Sequence, residues 1–353
     1  MKKPNLHIRI PFGKTFILAL AILAFSIIAA ETAFRTTPVQ SVIPNPSLGI
    51  SHYFLDLKFS SLRNETKKNG PVDCLFLGTS QVDVSFDPAV FSTSYEKRTG
   101  KRIRSYNFGV AGLMLPSTKA LMHILIKVYK PRFIMLGIAP AQFGKEIIRP
   151  SEARIMSSHW IRYHNGSFNF EGWMTEHFMA YRYFLRFRQW MEQPEFSFLV
   201  SQREKFMSPY GFANFKNPHS VQALQTDPKR AARFKRKLAS FEISPVRITD
   251  FEKLLDYRDQ VDLAVVEMPD HPIFKTFYGG EEKSYLEVSE AVRRITERRG
   301  IVFIPADKPE FHADELWLQS NHMNALGAEL FSLWLGDKVG EFVQAGLIKD
   351  PVS

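Results

Sequence analysis

The sequence predicts an α/β domain built on a mainly parallel sheet of five strands. Two observations support this prediction. Five short apolar segments recur along the chain, and segments with helical spacing of apolar residues separate them. The apolar segments do not alternate with polar residues, so we expect strands covered by helices on both faces of the sheet. Right-handed crossovers between such strands place their carboxyl ends at one edge, where ligands bind in open α/β sheets.

The first half of the chain supplies three predicted strands, at residues 72–77, 103–108 and 133–138. A helix is predicted over 88–99, because Asp87 can cap its first turn and Pro88 suits the first helical position. Apolar residues at helical spacing predict a second helix over 117–129.

The second half repeats the alternation after a long interval. Strands are predicted at 261–266 and 301–304, and the helix between them, over about 282–299, is stopped by Gly300. A final helix over about 324–343 closes the domain. The alternation therefore accounts for both ends of one large domain.

The interval from about 145 to 248 breaks the pattern and is rich in aromatic and basic residues. A structureless loop of this length is uncommon, so we predict a mostly helical insertion. Its aromatics fit either a lid packed on the core or a surface resting on lipid headgroups or a membrane partner. A basic cluster within it fits a solvated helix face or a site for an anionic polymer. That cluster consists of Lys229, Arg230, Arg233, Lys235, Arg236 and Lys237.

The N-terminus predicts a membrane anchor. Lys2, Lys3, Arg9 and Lys14 precede an uncharged run over 15–30, about the shortest stretch that spans a bilayer. The positive flank should remain cytoplasmic, which places the rest of the chain outside. The predicted organisation is a basic tail and signal-anchor at 1–35, a stalk at 36–70, and the α/β domain at 71–353.

A cleaved signal peptide is the alternative to this anchor, because small residues at 28–30 offer a cleavage site. The formal net charge of +10 suits nucleic acid, an anionic membrane or an acidic polymer. Export makes nucleic acid an unexpected partner. Cys74 is the single cysteine, which excludes an intramolecular disulfide, and its apolar neighbours predict a buried position.

Three elements at the predicted sheet edge carry chemistry. Ser80 follows the first strand in a tight turn, where a base and oxyanion donors could make it a nucleophile. Gly112 follows the second strand, where a glycine lets the backbone approach a substrate. His322 precedes the final helix and is placed to act as a base. Each element alone also fits ordinary capping, turn or packing chemistry.

Together these elements resemble the SGNH/GDSL hydrolase superfamily. The matching segments are Phe76-Leu77-Gly78-Thr79-Ser80, Asn107 to Gly112, and His322-Met323-Asn324 with Gly327-Ala328. The sequence is most similar to the membrane-anchored branch associated with membrane-bound O-acyltransferases, which includes D-alanyl-lipoteichoic acid biosynthesis and alginate O-acetylation proteins. The resemblance implies a three-layer, flavodoxin-like fold. It also implies Ser80 as nucleophile, His322 as general base and the Gly112 backbone as an oxyanion donor beside the Ser80 N–H.

The sequence departs from that superfamily at two positions. The acid that usually stands three residues before the histidine is Gln319, which can orient an imidazole but carries no charge. Asp314 or Glu315 could supply the acid, or the pair could work as a dyad. Residues 137–140 read Gly-Ile-Ala-Pro, so the superfamily's oxyanion Asn is absent.

The expected function is a serine-dependent O-acyltransferase or esterase acting on a cell-envelope polysaccharide or polymer. The resemblance implies a location in the bacterial cytoplasmic membrane, with the domain on the periplasmic or extracellular side, and a membrane-bound O-acyltransferase as partner. No cofactor and no metal are expected, since the chain lacks HExxH-like, Walker and GxGxxG patterns. The alternative is a non-catalytic scaffold of the same fold that binds the polymer or the membrane partner.

Overall fold

A computed structural model describes residues 12–42, 46–145, 150–212, 232, 235–236, 238–278, 283–306, 308–319 and 321–352. Its central sheet has five parallel strands in the order β2-β1-β3-β4-β5. The strands are β1 (Cys74–Gly78), β2 (Ser105–Gly109), β3 (Phe133–Ile138), β4 (Asp262–Glu267) and β5 (Val302–Pro305). This is the flavodoxin-like order, and it confirms the predicted fold class.

The helices of the first half are α1 (Phe12–Arg35), α2 (Thr37–Val42), α3 (Tyr53–Asn69), α4 (Ser80–Ser85), α5 (Pro88–Thr99) and α6 (Leu115–Ile124), the last continued by a π-helical turn at Leu125–Tyr129. The later helices are α7 (Pro150–Met156), α8 (His159–His164), α9 (Phe170–His177), α10 (Met179–Glu192), α11 (Pro194–Phe206), α12 (Pro245–Leu255), α13 (Pro272–Lys275), α14 (Lys283–Arg298) and α15 (Ala325–Gln344). A short antiparallel hairpin, β6 (Trp317–Gln319) and β7 (His322–Met323), precedes α15. The cap on α5 is as predicted, because the Asp87 carboxylate accepts backbone N–H groups of its first turn.

Two hydrophobic cores cover the two faces of the sheet. Successive residues of each strand alternate between them, so Leu75 faces one core and Phe76 the other. Helices α3, α6, α12 and α14 pack on the first face, and α4, α5 and α15 pack on the second. Burial on both faces explains why the strands read as continuous apolar runs rather than alternating ones.

The domain begins about twenty residues before the predicted boundary at residue 71. The segment predicted as a stalk contains α3, whose Leu55, Phe59 and Leu62 are buried in the first core, and Leu48 and Ile50 are buried as well. The prolines at 38–46 suggested an extended linker, but the apolar spacing beyond them belongs to a core helix. Residues 47–69 are therefore part of the α/β domain.

The N-terminal helix α1 has a different environment. Within the described part of the chain, Gly13–Arg35 is the one helix long and apolar enough to cross a membrane. Residues 13–29 are exposed along their whole length. Helix α1 therefore presents an apolar surface that the domain does not cover.

The insertion leaves and rejoins the domain at one place, where Gly144 and Ile243 form an antiparallel bridge. Its described part is helical, as predicted, and comprises α7 to α11. Some of its aromatics are buried, Trp160 among them, whereas others are exposed. Most of the basic cluster at 229–237 lies outside the described residues; Lys235 and Arg236 within it are exposed.

Candidate active site

Ser80 and His322 meet at the carboxyl edge of the sheet. Strand β1 ends at Gly78, Thr79 caps α4 by accepting the Gln81 N–H, and Ser80 is the first residue of that helix. His322 lies on the second strand of the hairpin, and its Nε2 is 2.9 Å from Ser80 Oγ. Residues 242 positions apart in sequence are therefore in hydrogen-bonding contact.

The hairpin that carries His322 is anchored to the domain by its neighbours. Met323 and Trp317 pair across it and are both buried, and the Trp317 indole N–H donates to the Phe311 carbonyl at 2.7 Å. Asn324 caps α15 by accepting the Gly327 N–H at 3.0 Å, and its backbone N–H donates to the Leu316 carbonyl. These contacts fix His322 relative to α15 although β7 has only two residues.

Helix α4, which positions Ser80, is held by the neighbouring strand β2. The buried Asn107 amide donates to the Val82 and Phe86 carbonyls at 2.8 and 2.7 Å, which satisfies carbonyls at the end of the helix. Gly109 permits this approach, since a Cβ there would lie 2.1 Å from the Asp83 backbone nitrogen. Strand β2 thus determines how closely α4, the helix that begins at Ser80, packs against the sheet.

A buried charge cluster surrounds Asp83 of α4. The Lys58 ammonium on α3 is 2.8 Å from Asp83 Oδ1, and Arg203 on α11 pairs with the other carboxylate oxygen. Lys58 also donates to the Asn107 carbonyl at 2.9 Å. Burial lowers the pKa of Lys58 to about 8. Burial also opposes ionisation of Asp83, but the charges of Lys58 and Arg203 outweigh it and keep the pKa of that carboxyl low.

Gly112 occupies a tight turn that follows β2. The Leu113 N–H donates to the Val110 carbonyl at 3.2 Å, and Gly112 has φ +75°, which suits the third position of a type II turn. A side chain at this position would be strained, so the turn accounts for the glycine. The Ala111–Gly112 peptide is the central unit of this turn and is partly buried.

His52 determines which way that peptide points. Its Nδ1 accepts the Leu55 N–H, so Nε2 carries the proton and donates to the Ala111 carbonyl at 2.9 Å. In a trans peptide the Gly112 N–H points opposite to the Ala111 C=O, and therefore away from His52. Burial lowers the pKa of His52, which favours the neutral ring that these two hydrogen bonds require. The Ser151 hydroxyl holds the next carbonyl, that of Gly112, at 3.0 Å.

Asp314 is bonded to His271. Its carboxylate lies 2.8 Å from His271 Nε2, and His271 Nδ1 accepts the Ile273 N–H, so Nε2–H donates to Asp314. Asp314 sits in the 3₁₀ turn just before the hairpin, and its side chain is directed toward His271 at the start of α13. The prediction of Asp314 as the acid beside His322 is therefore not supported by its position.

Gln319 pairs with His322 across the hairpin through the backbone register. Its side chain lies outside the described atoms, so its predicted role as an orienter of His322 stays a prediction. At the end of β3, the Ala139 N–H donates to Gln142 Oε1 at 2.9 Å, and the Gln142 amide reaches the Leu113 carbonyl at 3.4 Å. Gln142 thereby links the loop that follows β3 to the turn that contains Gly112.

Asp270, just after β4, and Gln81 form a second polar pair next to Ser80. The buried Asp270 accepts a 2.7 Å hydrogen bond from the Gln81 amide, next to Ser80 in sequence. In the described part of the chain, no group of three or more His, Cys, Asp and Glu side chains is arranged to hold a metal ion. The chemistry that this edge offers is that of a hydroxyl, an imidazole and backbone N–H donors.

No protein-family model matches this chain, and no curated protein matches it. Solved structures similar to it include the lipase/acylhydrolase from Enterococcus faecalis, with 9% identity and a TM-score of 0.39, covering 78% of this chain and 96% of that one. Another is a catalytic mutant of an acetylxylan esterase from Geobacillus stearothermophilus, with 10% identity and a TM-score of 0.36, covering 77% and 93%. Identities and TM-scores this low assign none of those activities to this chain. Its fold is established by its own sheet topology.

Sequence reasoning missed His52, Lys58, Asp83 and Gln142. One signal was available for Lys58, which is three residues after Leu55 and thus lies on the apolar face of a helix. A lysine there needs a buried partner. No comparable pattern indicated the other three.

Proposed function

We propose that this protein is a membrane-anchored, serine-dependent O-acyltransferase or esterase of the SGNH type. The observation that carries the proposal is the 2.9 Å contact between Ser80 Oγ and His322 Nε2 at the carboxyl edge of the parallel sheet. A nucleophile within hydrogen-bonding reach of a base is the minimal arrangement for acyl transfer.

In the first step the Ser80 hydroxyl donates to His322 Nε2 and its oxygen attacks the carbonyl carbon of an acyl ester. A C–O bond forms to Ser80 as the proton moves to His322. The oxyanion is received by the Ser80 N–H, at the start of α4, and by the Gly112 N–H, which His52 directs. The bond to the leaving oxygen then breaks, and His322 returns its proton to that oxygen.

In the second step an acceptor hydroxyl attacks the acyl-Ser80 ester. His322 takes the hydroxyl proton and passes it to Ser80 Oγ as the ester bond to the enzyme breaks. When the acceptor is a sugar hydroxyl the reaction is a transfer, and when it is water the reaction is hydrolysis. Ser80 and His322 carry the proton transfers in this proposal, and Asp314 is bonded to His271.

We infer that the acceptor is a cell-envelope polysaccharide or polymer, and that a membrane-bound O-acyltransferase supplies the acyl group. Three features support this inference: the long apolar helix α1, the basic residues ahead of it, and the formal net charge of +10. Basic residues before an apolar helix favour a cytoplasmic N-terminus, so the domain would face the periplasmic or extracellular side of a bacterial cytoplasmic membrane.

A non-catalytic scaffold is the second candidate. It is favoured by Asp314, whose carboxylate is bonded to His271, and by the loop after β3. In that loop the superfamily carries an oxyanion side chain, whereas this chain has Ala139, whose N–H donates to Gln142. Losing one oxyanion donor can cost about 2.7–4 kcal/mol in the transition state. A scaffold would bind the polymer or the membrane partner and leave Ser80 unmodified.

Envelope acylation in cells separates the two candidates. The chromosomal copy is replaced by Ser80→Ala, by His322→Ala or by Ser85→Ala, a buried serine at the other end of α4. Ester-linked acyl groups on the purified envelope polymers are then measured. We expect loss in the first two strains and wild-type levels in the third. Wild-type acylation with Ser80→Ala, at equal protein level, would favour the scaffold.

A further inference from the structure

Helix α10 has an apolar surface on each of two sides. One side packs on the domain, where Tyr183 and Leu185 are buried and the Arg182 carbonyl accepts the Ser47 N–H. The opposite side is exposed and carries what we call the aromatic stripe. The stripe consists of Phe184, Phe187, Trp190 and Met191, with exposed fractions of 51%, 54%, 58% and 62%.

The stripe is a continuous face rather than a set of isolated residues. Phe184, Phe187 and Met191 follow helical spacing, and the Phe187 and Trp190 rings lie 6.0 Å apart. Tyr181 stacks on Phe184 at 5.9 Å and extends the face toward the start of the helix. Contiguous exposed apolar surface of this kind marks an interaction site in a soluble domain.

Helix α10 is fastened to the end of α1. Both oxygens of the Glu31 carboxylate accept backbone N–H groups from the first turn of α10, at Met179 and Ala180, each at 2.9 Å. Phe34 stacks on Tyr183 with ring centroids 4.8 Å apart. The last turn of α1 and the first turns of α10 therefore form one packed unit.

This joint places α10 at the depth of a membrane interface. A hydrocarbon core about 30 Å thick takes roughly 20 helical residues, so a 23-residue span at Gly13–Arg35 ends among the headgroups. Glu31 is one helical turn, about 6 Å, before that end. The first stripe residue, Phe184, follows the residues that Glu31 caps by less than two turns of α10.

The composition of the stripe identifies its occupant as lipid. Aromatic rings beside arginines suit the headgroup region, and Arg188 lies exposed next to Phe187. Helix α9 adds Phe170, exposed and stacked on Trp173 at 5.9 Å, in the same part of the insertion.

We propose that the aromatic stripe of α10 lies in the headgroup region of the bilayer that α1 crosses, giving the domain a second attachment to the membrane. This proposal rests on the anchor role of α1 in the proposed function, and on none of its catalytic residues. A second contact would hold the domain in one orientation on the surface, where a single helix would leave it free to swivel.

The test uses the full-length chain reconstituted in vesicles of phosphatidylcholine and phosphatidylglycerol. Nitroxide labels are placed on Leu20→Cys in α1, Phe187→Cys in the stripe, and Leu286→Cys in α14. The natural Cys74 is fully buried and burial raises its pKa well above the usual value, so labelling is confined to the introduced sites. Leu286 is the matched control, because it is an exposed apolar residue on a helix remote in sequence from the insertion. Collision rates with oxygen and with a water-soluble nickel chelate give the depth of each label.

We expect the label at 20 deep in the hydrocarbon, the label at 187 roughly 5–10 Å into the headgroup and acyl boundary, and the label at 286 in water. Equal collision rates at 187 and 286 would overturn the proposal while leaving the anchor intact. Protection of 187 from both reagents would also overturn it, by showing that protein, such as a second copy, covers the stripe. A label at 20 in water would remove the anchor on which the proposal rests, without bearing on Ser80 chemistry.

Discussion

Replacing Asp83 by Asn is predicted to destabilise the fold by about 3–5 kcal/mol, the usual cost of breaking a buried ion pair from one side. Asp83 is the carboxylate that faces both Lys58 and Arg203, and Lys58 and Asp83 are almost completely buried. Asn keeps the size of the side chain and removes its charge. The buried Lys58 and the partly buried Arg203 then lose their counter-charge next to the helix that carries Ser80.

The pH dependence of this loss follows from Lys58. Burial already lowers the pKa of Lys58 to about 8 with Asp83 in place, and removing the carboxylate lowers it further. Unfolded lysine holds its proton up to about pH 10.4, so the unfolded variant binds more protons than the folded one once the pH exceeds the lowered pKa of folded Lys58. The stability of Asp83→Asn therefore begins to rise at a lower pH than the stability of the wild type does. We expect the difference between the two to shrink as the pH approaches 8.

The assay is urea unfolding of the full-length chain in detergent, followed by far-ultraviolet circular dichroism at pH 6 and pH 8. Lys58→Met and the double variant complete a thermodynamic cycle, in which the double variant should lose less than the sum of the single losses. Asp337→Asn is the control, since Asp337 pairs with Arg98 on the surface and should change stability by less than about 1 kcal/mol. A loss of stability with Asp83→Asn no larger than that of the control would show that the Asp83 carboxylate does not stabilise the fold through Lys58 and Arg203.

Three further variants test the positions around Ser80. Gly109→Ala brings a Cβ to 2.1 Å from the Asp83 backbone nitrogen, so we expect a loss of about 1–3 kcal/mol in urea unfolding; unchanged stability would contradict the close approach of β2 and α4. His52→Phe removes the hydrogen bond to the Ala111 carbonyl in the turn that contains Gly112. If that turn receives the oxyanion, steady-state hydrolysis of a short-chain acyl ester should show kcat about tenfold lower at unchanged KM, less than the 10²-fold or more lost when a donor is removed outright; a change confined to KM would argue for a substrate contact. Asp314→Ala should keep kcat within about twofold in the same assay, because its carboxylate binds His271; a loss of 10²-fold or more would restore it as the acid of a triad.

The sheet was predictable because its strands are buried on both faces. Strand β3 was predicted at its observed bounds from the apolar run alone. Strand β2 gave a weaker signal because it contains Ser105 and Asn107, which are buried but polar. The structure explains them: Ser105 donates to the Pro88 carbonyl and Asn107 binds the carbonyls of α4. Polar residues that serve a neighbouring helix conceal a strand from pattern analysis.

The meeting of Ser80 and His322 was predictable from topology, because both follow strands whose ends share one edge. The partner of Asp314 was not, since it depends on the local path of the chain before a hairpin of two- and three-residue strands. Strands this short have no periodicity to detect. The sequence alone therefore located the pair of residues and not its surroundings.

The role of Lys58 was missed because prolines at 38–46 suggested a stalk that would continue to residue 70. The apolar spacing of Leu55, Phe59 and Leu62 was the better guide, since it fits a helix with a buried face. That Asp83 would be the partner of Lys58 required the three-dimensional placement of α3 beside α4, which no local pattern contains.

In the proposed mechanism Ser80 carries the acyl group. The most direct measurement is the intact mass of the full-length protein after incubation with a short-chain acyl ester, with the modified residue located by peptide fragmentation. We predict one added acyl group on Ser80 in the wild type and in Ser85→Ala, and none in Ser80→Ala or His322→Ala. An unmodified wild type, or an adduct that persists in Ser80→Ala, would rule out Ser80 as the acyl carrier.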